Sequence, residues 1–121
     1  MSTLVIAVND STQPYTFTKS GGPANATVAT NGDIDLTNCA ENNIGIQWNL
    51  DSGTFRSSGN SAPVTISGNG NDQIFTGGTL SNSNKTYTVT DANATQPINT
   101  NFNYTIHENG GDDDPIIRNR V

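Results

Sequence analysis

The sequence contains few charged residues and few of the side chains that usually form reactive sites. Of the 121 residues, 13% are charged, five are lysine or arginine, and cysteine and histidine occur once each. A single cysteine rules out an internal disulfide, and one cysteine with one histidine cannot complete a zinc or blue-copper site within one chain. The scarcity of positive charge disfavours binding to nucleic acid or to an anionic membrane, because both require clustered basic residues.

Long apolar segments are also missing. The N-terminal run from Leu4 to Val8 is compact, and it is too short for the apolar region of a signal peptide or for a membrane span. No positively charged segment precedes it. We therefore predict a cytoplasmic location, although an exported protein written in its mature form would have the same features.

The rest of the sequence is rich in Asn, Thr, Ser and Gly, with 31% hydrophobic residues and a net charge of −6. Thr is a good strand residue, whereas Asn and Gly favour turns. The composition therefore favours short strands joined by many turns, in a chain whose length fits one domain, residues 1–121. An acidic surface favours solubility and the binding of cations.

Apolar residues recur mainly at every second position, which is the period of a half-buried strand. The clearest example runs from Ile44 to Leu50, and no segment shows a helical period. With turn-forming clusters between the runs, the pattern predicts an all-β antiparallel sandwich of about seven to nine short strands. Much of the core should come from Ile44, Ile46, Trp48, Tyr87, Val89, Phe102, Tyr104 and Ile106.

One Gly- and Asn-rich stretch raises the question of calcium binding. Residues 67–75 read SGNGNDQIF and fit a calcium-binding β-roll nonapeptide except at Ser67. One such unit supplies only half of a site, and the next nine residues lack the aspartate and the glycine spacing of a second unit. We interpret the stretch as a loop that leads into a strand at Ile74, with Asp72 as a secondary candidate ligand.

An acidic stretch near the C-terminus is the stronger candidate for a metal. Three aspartates follow a Gly-Gly pair there, and carboxylates are ligands that calcium prefers. The alternative is a solvated acidic loop that discourages pairing at a sheet edge. The candidate metal ligands are Asp112, Asp113 and Asp114, and calcium is the candidate ion.

The segment Leu50–Thr54 reads LDSGT and resembles the catalytic loop of aspartic proteases. The retroviral type is also a short all-β chain that acts as a dimer, in which two facing aspartates share a proton and activate water. The corresponding residue here is Asp51. The second motif of that family, two apolar residues followed by glycine, is altered because Arg118 follows the pair of isoleucines. The alternative is an ordinary β-turn with aspartate at its first position.

The remaining reactive side chains form no recognisable catalytic group. His107 follows Ile106 on a predicted strand and is expected to point outward, and Cys39 lies in a polar stretch without a nearby base. The sequence has no Gly-x-Ser-x-Gly nucleophile motif. We therefore predict no catalytic residues.

Three segments of the C-terminal third form a recognisable series: KTYTVTD at 85–91, FNYTI at 102–106 and DPIIRN at 114–119. A Tyr-rich strand followed by a closing Asp-Pro-apolar-Ile-x-Asn strand resembles small bacterial proteins of the DP-EP family. The resemblance implies an immunoglobulin- or cupredoxin-like β-sandwich of uncharacterised function. It implies no catalytic residues.

Together these features predict a non-enzymatic binding or structural module without a bound cofactor. Homo-oligomerisation through a sheet edge or face is one expectation, because sandwiches leave edges unpaired. Carbohydrate and protein both remain open as ligands. Two alternatives come from other classes: a calcium-dependent carbohydrate-binding protein using Asp112, Asp113, Asp114 or Asp72, and a dimeric aspartic protease using Asp51.

Overall fold

The computed structural model describes residues 2–56, 63–67, 78–93, 101–108, 112–113 and 116–118, the last two of these segments through their backbone alone. All regular structure in these segments is β. The strands are β1 Thr3–Asn9, β2 Thr16–Gly21, β3 Thr27–Val28, β4 Ile34–Asp35, β5 Ile44–Leu50, β6 Val64–Ser67, β7 Thr79–Ser81, β8 Thr86–Asp91, β9 Asn101–His107, β10 Asp112–Asp113 and β11 Ile116–Arg118.

The first sheet has five strands in the order β2-β1-β5-β8-β7. Its centre is a parallel pair, in which Ile6 of β1 lies opposite Trp48 of β5. The other pairs in this sheet are antiparallel, and Trp48 also lies opposite Tyr87 of β8. Because β1 and β5 are parallel, both end at the same end of the sheet, where antiparallel β2 and β8 begin.

The second sheet is built around β9. Strand β6 pairs with residues 103–106 of β9, β10 with residues 106–107 and β11 with residues 101–103, so that Ile106 and Asn103 each have a partner on both sides. Strands β10 and β11 must therefore lie along the edge of β9 opposite β6. Beyond them β11 pairs with β4 in parallel, and β4 pairs with β3.

The core lies between the two sheets and follows the alternation of side chains along each strand. On β1, Leu4, Ile6 and Val8 are buried, whereas Ala7 and Asn9 are exposed. Seven of the eight core residues predicted from the sequence are buried, which confirms those seven predictions. The side chain of the eighth, Phe102, lies outside the described part of the chain.

Trp48 and Tyr104 connect the two sheets at the centre of the core. Both side chains are fully buried, and their ring centroids are 5.1 Å apart. The Tyr104 hydroxyl donates a hydrogen bond of 2.6 Å to the carbonyl of Gly32 and lies 3.4 Å from Trp48 Nε1, whose N–H points to it. The hydroxyl thus satisfies two buried polar groups at once.

Replacing Tyr104 with phenylalanine should lower the free energy of unfolding by about 1–2 kcal/mol, because the Gly32 carbonyl and the Trp48 N–H would lose a buried partner. Urea denaturation followed by tryptophan fluorescence measures the change. An unchanged m-value is the internal control that the same surface becomes exposed on unfolding. A variant as stable as the wild type would show that these bonds contribute nothing.

The all-β sandwich predicted from the sequence is confirmed, and the structure adds two details. The sheets are mixed, since β1/β5 and β4/β11 are parallel. There are eleven strands in the described segments, and three of them, β3, β4 and β10, contain only two residues. No helix in the described residues is long and apolar enough to cross a membrane.

Candidate functional site

The core gives way to polar residues at the end of the first sheet where β1 and β5 finish. Four of these residues lie just outside a strand, two positions away from its last or first buried apolar residue, so the alternation of the strand continues to them. We call this group the polar end: Asp10 beyond Val8, Ser52 beyond Leu50, Lys85 before Tyr87, and Glu108 beyond Ile106.

Asp10 holds the turn that follows β5. Its Oδ1 accepts hydrogen bonds from the backbone N–H of Ser52 at 2.8 Å and from the Ser52 hydroxyl at 2.9 Å. Its Oδ2 accepts a bond of 2.8 Å from the backbone N–H of Gly53. One carboxylate therefore fixes the position of a turn 42 residues further along the chain.

Glu108 lies directly against this arrangement and is only 5% exposed. Its carboxyl group interacts with the Asp10 carboxyl group and with the Tyr15 side chain, and its Oε2 is buried without a hydrogen-bond partner in the described part of the chain. Its Oε1 packs so close to Gly53 that a Cβ at that position would collide with it. Glycine at position 53 thus leaves the space in which the two carboxyl groups meet.

Two basic residues surround the carboxyl pair. Lys85 Nζ donates hydrogen bonds of 3.2 Å to the carbonyls of Ser52 and of Gly53, and its charge also acts on Glu108. Arg56 Nη2 donates a bond of 3.0 Å to the backbone carbonyl of Glu108. The isolated bridge between Phe55 and Glu108 joins the end of β9 to this region.

The two carboxyl groups are driven to opposite protonation states. Burial and the neighbouring Asp10 together raise the pKa of Glu108 to about 7, against the opposing effects of Tyr15 and Lys85. Burial would also raise the pKa of Asp10, but hydrogen bonds from Glu108, Ser52 and Gly53 outweigh it and lower that pKa to about 2. Near neutral pH the pair therefore holds one proton, as coupled carboxyl groups do.

Tyr15 completes the polar layer on the side of β2. Burial raises the pKa of its hydroxyl, and so does the hydrogen bond to Glu108, whereas a bond with the side chain of Gln13 acts in the opposite direction. The hydroxyl therefore stays protonated near neutral pH.

A depression of about 340 Å³ lies on the outward face of the first sheet, next to the polar end. It forms because Ala7 on the central strand β1 is shorter than its neighbours, Thr18 on β2 and Asn49 on β5. Its lining residues are Ala7, Val8, Asn9, Thr18, Asn49, Leu50 and Asp51. Asn9 and Asp51 lie next in sequence to Asp10 and Ser52, so the depression and the carboxyl pair share their supporting backbone.

The outward face around the depression carries no charged side chain along β1, β2, β5, β7 and β8, all of which the structure describes. Its polar groups are joined to one another: Asn49 Oδ1 accepts bonds from Thr86 Oγ1 at 2.7 Å and from Gln47 Nε2 at 3.3 Å. These bonds fix the orientation of the Asn49 amide. Its Nδ2 group is then the part that can donate to a ligand.

Of the site residues predicted from the sequence, the structure describes the side chain of Asp51 alone. Asp51 is exposed at the rim of the depression, and the carboxylate that organises the following Ser-Gly turn is Asp10. Asp112 and Asp113 form β10 and pair with the end of β9, but their side chains lie outside the described part, as do Asp114 and Asp72 altogether. Among the described residues no group of three or more metal-ligating side chains comes together.

The single histidine and cysteine take structural positions. His107 is half-buried, and its Nε2 lies 2.9 Å from Thr65 Oγ1 on the neighbouring strand β6. Cys39 is 4% exposed, and burial raises the pKa of its thiol above the ordinary value. A raised pKa leaves little reactive thiolate near neutral pH.

Sequence reasoning did not single out Asp10, Tyr15 or Glu108. A signal for two of them was present, because the alternation Phe102, Tyr104, Ile106 continues to Glu108, and the alternation of β1 continues to Asp10. A carboxyl group on the inward face of a strand end predicts a buried, partnered group. That the two meet could not be inferred without the pairing of the strands.

The chain was also compared with known proteins. No family model, no curated protein and no solved structure matches it.

Proposed function

We propose that this protein is a non-enzymatic binding module that holds a neutral, hydroxyl-rich carbohydrate in the depression around Ala7. The observation that carries the proposal is the lining of the depression, which combines one carboxylate, two amides and a hydroxyl on an otherwise uncharged sheet face: Asp51, Asn9, Asn49 and Thr18. The volume is within the range of about 300–1,000 Å³ that is typical of small-molecule sites.

The donors and acceptors match the chemistry of a sugar. Each sugar hydroxyl both donates and accepts, and the site offers a carboxylate that accepts, amides that do both, and a hydroxyl that does either. An anionic ligand is disfavoured by Asp51 and by the net charge of −6. The hydrogen bonds between Gln47, Asn49 and Thr86 fix the central amide before a ligand arrives, which lowers the entropy cost of binding.

Replacing Ala7 with leucine should fill the depression and weaken sugar binding at least tenfold. The measurement is a ¹⁵N NMR titration with cello-, xylo-, malto- and manno-oligosaccharides up to about 10 mM, a concentration at which a site with a Kd of about 1 mM is mostly occupied. The wild type should show shifts at the amides of Ala7, Thr18 and Asn49 with at least one of these sugars.

The matched control is Val5→Leu, which enlarges a side chain on the same face of β1 at a position that does not line the depression. It should bind within about twofold of the wild type, and both variants should melt near the wild-type temperature, as outward-facing substitutions usually do. Absence of shifts with all four sugars, or equal binding by the Ala7 variant, would overturn the proposal.

Repeating the sugar titration with and without calcium distinguishes calcium-dependent binding from calcium-independent binding. The depression has a single carboxylate, whereas calcium takes six to eight oxygens, so our proposal does not require the ion there. Calcium binding by Asp112, Asp113 and Asp114 remains a prediction, and a calcium-dependent gain in affinity would favour it. The dimeric protease using Asp51 also remains a prediction, which a peptide-cleavage assay at pH 5 with an Asp51→Asn control would test. Homo-oligomerisation remains a prediction as well, and sedimentation would test it.

We also propose that the chain is related to small bacterial proteins of the DP-EP family, which its C-terminal segments resemble. It would make the chain an immunoglobulin- or cupredoxin-like sandwich. The mixed first sheet, with antiparallel β1/β2 beside parallel β1/β5, is the feature against which such an assignment should be checked.

A further inference from the structure

The carboxyl pair joins three parts of the chain that are distant in sequence. Asp10 follows β1, the Ser52–Gly53 turn follows β5, and Glu108 follows β9 of the other sheet. Asp10 accepts hydrogen bonds from the N–H groups of the turn and from the Ser52 hydroxyl, and Lys85 donates to the carbonyls of the turn. Asp10 Oδ2 and Glu108 Oε1 both face Gly53. Two carboxyl groups thus lie beside the Ser52–Gly53 turn, close to the bridge between Phe55 and Glu108 that also joins this segment to the end of β9.

We propose that Asp10 and Glu108 form a proton-operated latch: while one proton lies between their carboxyl groups the latch holds the Ser52–Gly53 turn against the end of β9, and loss of that proton releases it. This inference is independent of the proposed ligand. The step is a simple ionisation, in which the shared proton passes to solvent and leaves two carboxylates side by side.

The groups that face the pair determine when the proton is lost. Tyr15, ahead of β2, and Lys85, ahead of β8, both act to lower the pKa of Glu108, Lys85 through its positive charge. Arg56, beyond β5, is bound to the backbone carbonyl of Glu108. Burial and the charge of Asp10 outweigh these favourable contacts, and the pKa of Glu108 is raised to about 7.

The dependence of stability on pH has a definite sign. The pKa of Glu108 rises from its ordinary value of 4.5 to about 7, so the folded protein binds more protons than the unfolded chain between these values. The contribution of Glu108 to the free energy of unfolding should therefore fall as pH rises from about 4.5 to 7 and should change little above that range. Asp10 has the opposite shift, to about 2, and affects stability only in strongly acidic solution.

The direct test is a carboxyl ¹³C NMR titration of the protein labelled at glutamate. The sequence has two glutamates, so Glu41 serves as an internal reference. A hydrogen bond with Ser2 lowers the pKa of Glu41, so that signal should titrate in acidic solution. The Glu108 signal should titrate near pH 7, and a Glu108 signal that titrates near 4.5 would overturn the proposal.

The functional test uses Glu108→Gln, whose amide donates to Asp10 at every pH. Between pH 4.5 and 8 the melting temperature of the wild type should fall by about 5–10 °C more than that of the variant. Comparing the wild type with the variant cancels the titration of the groups that the two proteins share. The matched control Glu41→Gln should retain the wild-type pH dependence, and equal pH dependence of wild type and Glu108→Gln would refute the latch.

Amide hydrogen exchange identifies which segment is released. The N–H groups of Ser52 and Gly53 are bound to Asp10, so their protection should decrease between pH 6 and 8 in the wild type but not in Glu108→Gln. The N–H of Thr37, bound to Asp35 within a local turn, is the reference for the intrinsic change with pH. Constant protection of Ser52 and Gly53 would contradict release of the turn.

Discussion

Replacing Asp10 with alanine should lower the free energy of unfolding at pH 7 by about 3 kcal/mol, because charge-assisted hydrogen bonds to a partly buried carboxylate are lost together. The two backbone N–H groups of Ser52 and Gly53 and the Ser52 hydroxyl would lose their acceptor. Glu108 would lose its hydrogen-bonding neighbour in the same step. Urea denaturation at constant pH measures the loss.

The chain offers a matched control in Asp35. Its Oδ1 accepts bonds from the backbone N–H of Thr37 at 2.9 Å and from the Thr37 hydroxyl at 2.6 Å, the same pattern that Asp10 makes with Ser52. The Asp35 bonds are local and exposed, so Asp35→Ala should cost no more than about 1 kcal/mol. Equal losses at the two positions would show that joining distant segments adds nothing to the stabilisation by Asp10.

Replacing Gly53 with alanine should destabilise the protein by about 2–3 kcal/mol, because an added methyl group in a filled space forces neighbouring groups apart. The new Cβ would collide with Glu108 Oε1 and would crowd Asp10 Oδ2. Moving either oxygen lengthens the hydrogen bonds that define the polar end. Thermal unfolding at pH 6, where the pair is protonated once, is the appropriate measurement.

Gly21→Ala is the control for this change. A Cβ at Gly21 would meet the Val5 side chain at 3.8 Å, which is ordinary van der Waals contact. Alanine there should be within about 1 kcal/mol of the wild type and can be stabilising, since alanine loses less backbone entropy than glycine. If Gly53→Ala were as stable as Gly21→Ala, the contact between the turn and the carboxyl groups would be looser than described.

The sequence was a good guide to the strands and to the core. Period-two alternation identified β5 from Ile44 to Leu50 and located Trp48 in the interior, because burial on one face of a strand directly shapes the residue pattern. The two-residue strand Thr27–Val28 was missed, since two residues contain no period. The proposed strand at Ile74 lies outside the described residues.

Strand partners and the candidate site were much less predictable. The parallel pairing of β1 with β5 depends on contacts across the whole sandwich, and a local pattern does not encode it. The LDSGT segment drew attention to Asp51, whereas the turn is organised by Asp10, whose partners lie 42 and 43 residues away. A carboxyl pair of this kind is visible in sequence only as two acids on inward positions.

The parallel pairs also determine the order in which the chain can fold. Strand β1 pairs with β5 only after the intervening segments are available, and Ile34 of β4 pairs with Ile117 across more than half of the sequence. Closing such large loops costs entropy before any native contact repays it, so folding should be slow for a chain of this size. During synthesis on the ribosome, β4 has an unpaired edge until β11 has emerged, and this is the interval in which the nascent chain is most exposed to pairing with other chains.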